Sequence, residues 1–426
     1  MLSSWLTIVF CSFIFAFSLY KIVSNQYSVL HLANVPFYLV QVMPLVVESV
    51  CNQDDFMSMI GNMYKASTDY DVHLVYCLFC GFTMLFFYLL GNVILNKKRH
   101  QLFIQTQSFE PNILFNTLLI LGICLPLIVV FFAPDPFVYF TFGNYYTLKL
   151  NEVDESYLFH ISMMKTSVFI SFLSVCVLYF FNKGKSSLCT YVTYFGVVVF
   201  TWFDGKRTLL VFALITIIAI DVVQKKFTLN KWALVKKGIM FLGISVVFFI
   251  IYKDYTNKDA SMEFLSQYNQ YYSRMGCVKT AIYSVMMDKP IVEYPGQTLL
   301  FNVFFFVPKF LWSGKPALFC KYFTAYAFNR EITDFLPWNL LVNIWTEFIS
   351  NLGIWGYLFA LSIVSFLAKI IDFSKDQLVR FSGTVFLVFY FVFGFEFYVM
   401  ASAMIFVACI IISVLKRSKT KVAGLR

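Results

Sequence analysis

Charge is what this chain has least of. Asp, Glu, Lys and Arg make up 13% of its 426 residues, against roughly 25% in an ordinary soluble domain. Nucleotide and metal chemistry are also poorly provided for. The chain has no phosphate-binding glycine loop, no G-x-S-x-G and no H-E-x-x-H, which argues against ATP use and zinc hydrolysis. His31, His73, His100 and His160 lack metal-ligand spacing, and no Cys/His cluster accompanies them. Neither heptads nor repeats of fixed period stand out. The short alternating segments of a closed barrel are missing too. Without a basic start or a small-residue cleavage site, residues 2–20 are expected to be a span and not a removable signal.

Apolar side chains fill the space that charge leaves. Hydrophobic residues reach 60%, aromatics 20%, and the mean hydropathy is +0.74. Runs long enough for a hydrocarbon core of roughly 30 Å fall near 2–20, 28–50, 73–95, 112–133, 160–182, 188–203, 208–224, 238–252, 354–371, 380–396 and 398–415. The second is interrupted by Pro36, Gln41, Pro44 and Glu48, and could be a full span, a broken helix or an interfacial helix. The expectation is an all-α polytopic membrane protein of about 10–11 spans with one large extracytoplasmic loop containing short helices. Its organisation would be an N-terminal bundle over 1–252, the loop over 253–353, and C-terminal spans with a basic tail over 354–426.

The net charge of +10 could suggest nucleic acid, but its placement argues otherwise. Lys97, Lys98, Arg99, Lys225, Lys226, Lys236, Lys237, Lys416, Arg417, Lys419 and Lys421 lie just outside apolar runs, the positive-inside pattern. Most of the 10 cysteines sit inside spans, where they act as small apolar residues. Alternation then puts 51–72, 134–159 and the long loop on the outer side.

Three basic sites on that side could carry chemistry. Lys206 and Arg207 occupy a tight turn after Asp204, either as an interfacial snorkelling pair or as an anion site. Arg274 opens an apolar, aromatic-flanked helix expected in or on the outer leaflet, sharing a face with Val278, Ala281 and Val285. It must meet an anion or a carboxylate such as Glu263. The third is Pro295–Pro316, where the apolar run 299–307 stops at Pro308 and Lys309, Trp312 and Lys315 follow. That pattern suits a re-entrant element with a polar tip, or an interfacial anchor. Glu347 could be a general base or an arginine's partner. Glu396 and Asp221 read as structural, and His160 with Lys165 is a minor candidate. Guanidinium and ammonium groups gathered on an outer face can hold a diphosphate and stabilise it as a leaving group.

Over residues 200–360 the chain resembles the oligosaccharide repeat-unit polymerases of bacterial O-antigen and capsule assembly, the Wzy-type family. The resemblance rests on Gly205-Lys206-Arg207, on Tyr271-Tyr272-Ser273-Arg274, on Pro308-Lys309-Phe310-Leu311-Trp312 with Lys315-Pro316, and on Glu347 followed by Asn351, Gly353 and Gly356. Where that family usually has arginine after the proline, this chain has Lys309. The resemblance implies transfer of a growing glycan from a polyprenyl-diphosphate carrier to the next lipid-linked repeat unit, at the outer face of a bacterial inner membrane. No metal or other cofactor is implied. The partners would be the lipid-linked oligosaccharide, the bilayer, and a flippase and chain-length regulator of the same pathway, with no nucleic acid. Arg207, Arg274, Lys309 and Lys315 would take the diphosphate, Glu347 the acceptor hydroxyl or an arginine, and Lys206, Tyr271, Tyr272 and Trp312 the substrate. An O-antigen ligase and a non-enzymatic flippase of lipid-linked sugars are the rival expectations.

Overall fold

A computed structural model gives the fold. It describes residues 2–24, 26–51, 61–99, 113–139, 155–182, 187–204, 273–304, 311–332, 342–374 and 376–392, with isolated positions at 213, 216–217, 220, 243, 307, 340, 402–403, 405–407 and 409–410. The chain is all-helical, and six described helices are long and apolar enough to cross a membrane. Shorter apolar helices add Tyr191–Phe203 and Leu378–Val388. The expected spans at 208–224, 238–252 and 398–415 lie outside the described residues apart from isolated positions.

The helices are α1 (Leu2–Val23), α2 (Val29–Phe37), α3 (Met43–Cys51), α4 (Gly61–Thr68), α5 (Tyr70–Arg99), α6 (Ile113–Val130), α7 (Glu155–Asn182), α8 (Ser187–Asp204), α9 (Met275–Met286), α10 (Gln297–Val303), α11 (Phe319–Ala327), α12 (Ile344–Phe373) and α13 (Gln377–Val392). They form two compact units, one of 1–104 with 262–426 and one of 105–261.

In the first unit, the interrupted second run forms one continuous helical stretch, long and apolar enough to cross a membrane. A π-helical turn, Tyr38–Val42, joins α2 to α3 without a break. Pro44 has no N–H for the Val40 carbonyl four residues earlier. Arg274 N–H fills that acceptor at 2.9 Å, and Tyr76 Oη donates to the Gln41 carbonyl at 2.7 Å. The proline that weakened the sequence signal thus creates the docking point for a distant helix. At the opposite end of the unit, Ser28 Oγ and Val29 N both donate to the Asp372 carboxylate, which caps α2.

Helix α12 is a hairpin. Gly353 takes φ 59° and ψ −137°, a conformation open essentially to glycine alone, and breaks the helix into arms 344–352 and 354–373. A Cβ at Gly356 would overlap the Phe348 carbonyl, so the arms turn back on each other at once. Trp345 and Tyr357 confirm the reversal, with rings 6.0 Å apart where a straight helix would separate them by about 18 Å. The expected span at 354–371 is the long arm.

The fully buried Trp345 fixes the short arm. Rings of Phe37, Phe79, Phe87, Tyr357 and Phe391 surround it at 5.7–6.1 Å, drawn from α2, α5, the long arm and α13. Offset and edge-on aromatic pairs add roughly 0.5–1.5 kcal/mol each beyond their burial. That packing holds a nine-residue helix that could not stand alone.

The second unit packs α6, α7 and α8 together. His160 is buried within it, taking Tyr139 Oη on Nδ1 and pairing Nε2 with the Val129 carbonyl, each at 2.9 Å. Both ring nitrogens are occupied, which makes His160 a structural residue.

Candidate functional site

The short arm of α12 and helix α10 together hold a buried polar cluster. Asn343 caps the arm, its Oδ1 accepting from Thr346 N at 3.0 Å and Thr346 Oγ1 at 2.8 Å. Glu347 follows in the first turn, where a negative charge suits the positive end of the helix dipole. Its side chain is fully buried. Oε1 accepts from Asn302 Nδ2 at 2.7 Å, while Oε2 has no hydrogen-bond partner among the described residues. One turn on, Asn351 Nδ2 donates to Thr298 Oγ1 and to the Glu347 carbonyl, both at 2.8 Å. Its Oδ1 accepts from Thr298 N at 3.3 Å. Two residues of α10 and two of the arm therefore lock each other.

Helix α10 stops at Val303, before the Pro308 that was expected to end it. Its N-terminus is held by Gln297, whose Nε2 donates to Tyr322 Oη of α11 at 3.0 Å. Burial raises the Tyr322 phenol above its ordinary value, so it meets Gln297 as a neutral hydroxyl. The chain after α10 folds back over it. Trp312 meets Phe304 edge-on at 6.4 Å, and Lys315 Nζ lies 5.1 Å from the Phe301 ring centre while donating to the Val307 carbonyl at 2.7 Å. Phe301 and Asn302 are neighbours, so one short helix carries the contacts of both Lys315 and Glu347.

Arg274 is placed differently from the expectation. Helix α9 does not lie on a surface: Met275 through Ser284 are buried on every side, and of the anticipated face only Val285 is exposed. Arg274 is itself buried at the N-cap, its Nη1 donating to the Ser273 carbonyl at 2.9 Å. Helix α9 packs on α12, α4 and α5. Lys206, Arg207, Tyr271, Tyr272 and Lys309, with Glu396 and Asp221, lie outside the described residues.

Lys279 is a buried charge that the sequence did not single out. Lysine is almost never fully buried unless paired, yet Lys279 is 1% exposed. Its Nζ sits 3.7 Å from Glu48 Oε2 and 5.7 Å from the Tyr76 ring centre, with no hydrogen bond among the described residues. A lone lysine in the apolar run Met275–Met286 was the available signal. Among the described residues no group of carboxylates, histidines and cysteines could hold a metal ion. No protein-family model, curated protein or solved structure matches this chain.

Proposed function

We propose that this protein polymerises polyprenyl-diphosphate-linked oligosaccharide repeat units at the outer face of a bacterial inner membrane. An acceptor hydroxyl on one lipid-linked unit attacks the anomeric carbon of the growing glycan. The bond from that carbon to the carrier diphosphate breaks, and the diphosphate leaves with the electron pair. Glu347 takes the proton of the attacking hydroxyl. The cations Arg207, Arg274, Lys309 and Lys315 meet the charge that develops on the leaving diphosphate.

One observation carries the reading: Glu347 has one oxygen held by Asn302 and the other uncommitted among the described residues, in a frame that shares α10 with Lys315. A carboxylate steered through one oxygen is suited to accept a proton on the other. Because Glu347 is enclosed, this role requires the frame to open when substrate binds. The resemblance of residues 200–360 supports the choice of substrate.

The test is the lipid-linked glycan profile of a strain lacking this chain. The polymerase reading expects single repeat units to accumulate on the carrier at the outer face. Long glycans retained on the carrier would point to a ligase instead, and repeats stranded on the cytoplasmic leaflet to a flippase.

A further inference from the structure

We propose that the short arm around Glu347 is a subsite for the acceptor sugar, with Asn343 and Ser350 as binding groups and α10 as its lid. The inference rests on the polymerase reading and names what holds the sugar that Glu347 deprotonates. Buried polar atoms are almost always hydrogen-bonded, so exceptions gathered in one place ask for a cause. Three lie one turn apart along this arm: Asn343 Nδ2, Glu347 Oε2 and Ser350 Oγ, none with a hydrogen-bond partner among the described residues. All three residues are more than nine-tenths buried. Trp345 Nε1 is a fourth, but its ring is turned into the aromatic socket. The set is chemically mixed, an amide donor, a carboxylate acceptor and a hydroxyl that can do either. A hydrocarbon chain satisfies none of them, and a phosphate would meet repulsion from the carboxylate. Sugar hydroxyls both donate and accept, so they suit all three. Each step along the arm is about 5–6 Å from Cβ to Cβ, a gap that hydroxyls on one or two sugar rings bridge.

The subsite is enclosed, so one of its walls must move. The arm itself is pinned by the rings around Trp345. Helix α10 is the looser wall, for only Gln297, Thr298 and Phe301 of its seven residues are buried. Hydrogen bonds of Thr298 and Asn302 to Asn351 and Glu347 latch it to the arm. Such bonds exchange for others of the same kind at little net cost. Gly296, at the N-cap of α10, takes φ 79°, and a Cβ there would meet nothing within 4 Å, which makes it a free pivot. Lifting of α10 admits the sugar. Its return puts Asn302 back on Glu347 Oε1 while a sugar hydroxyl takes Oε2, and shuts out water.

The test loads the full chain in detergent with lipid-linked single repeat units taken from the strain that lacks it. Native mass spectrometry reports retention, and hydrogen–deuterium exchange reports opening. In the unloaded chain the amides of α10 should exchange several-fold faster than those of the short arm. Loading should slow α10 several-fold. Ser350→Ala removes no side-chain hydrogen bond to any described residue, so it should melt like the parent yet retain the repeat unit several-fold less. Asn343→Asp keeps the capping oxygen and loses the amide donor, and should weaken retention likewise. Undiminished retention by Ser350→Ala would overturn the subsite, and α10 exchange that loading leaves unchanged would overturn the lid. Either result can arise while the parent chain still elongates the loaded units, which leaves the polymerase reading standing. A strain that accumulates no single repeat units would instead remove that reading, and this proposal with it.

Discussion

Glu347, on the short arm of α12, and Lys279, on α9, are both buried, yet they are surrounded in different ways. Around Glu347 stand neutral amides and a hydroxyl, each tied to another by a hydrogen bond of 2.7–3.3 Å. Around Lys279 stand a carboxylate at 3.7 Å and an aromatic ring, without a single hydrogen bond among the described residues. A hydrogen-bonded frame is directional and fixes where an oxygen points. A loose ion pair balances charge and fixes little else. The first arrangement suits chemistry at a defined atom; the second suits charge balance inside the fold.

That contrast can be broken at several points. The largest effect should come from Gly356→Val, which places a side chain on the Phe348 carbonyl and forces the hairpin arms apart. A loss of about 3 kcal/mol or more is expected, read as a fall in the thermal midpoint in detergent together with loss of long glycans. Glu48→Ala should cost about 2 kcal/mol, below the roughly 3–5 kcal/mol of a wholly buried pair because Glu48 is partly exposed. The double variant Glu48→Ala/Lys279→Met should recover most of that loss in the same melting assay. Asn302→Ala should cost about 1–2 kcal/mol, since it strips the Glu347 carboxylate of the hydrogen bond from Asn302 Nδ2. Glycan length should nevertheless fall further in Asn302→Ala than in Glu48→Ala. If both variants shorten glycans in proportion to lost stability, the distinction between the two centres fails. Lys321→Ala, at an exposed position, should change stability by less than about 0.5 kcal/mol and leave glycan length unaltered.

Much of the fold was legible because spans announce themselves by length and apolarity, and the expected runs at 2–20, 73–95 and 354–371 recur as α1, α5 and the long arm. The interrupted run at 28–50 was ambiguous, since hydropathy does not reveal that Arg274 supplies the donor Pro44 lacks. The hairpin was hidden for a related reason. Gly353 and Gly356 are visible in the sequence, but their meaning depends on Trp345 finding a socket of five rings, four from other helices and Tyr357 from the long arm. Glu347 and Lys315 were singled out from residue type and position. Asn302 and Thr298 were not, because an asparagine and a threonine in an apolar run gain importance only through what they face. Lys279 escaped notice because α9 was expected in or on the outer leaflet, where a lysine can reach the headgroup level.

The most direct measurement is the glycan size distribution made by Glu347→Gln in a strain lacking the native chain. Glutamine keeps the volume and can still accept from Asn302 Nδ2, so the frame should persist and the protein should insert and melt like the parent. The account predicts single repeat units and no long glycan. Long chains of normal length from a stably folded Glu347→Gln protein would contradict it.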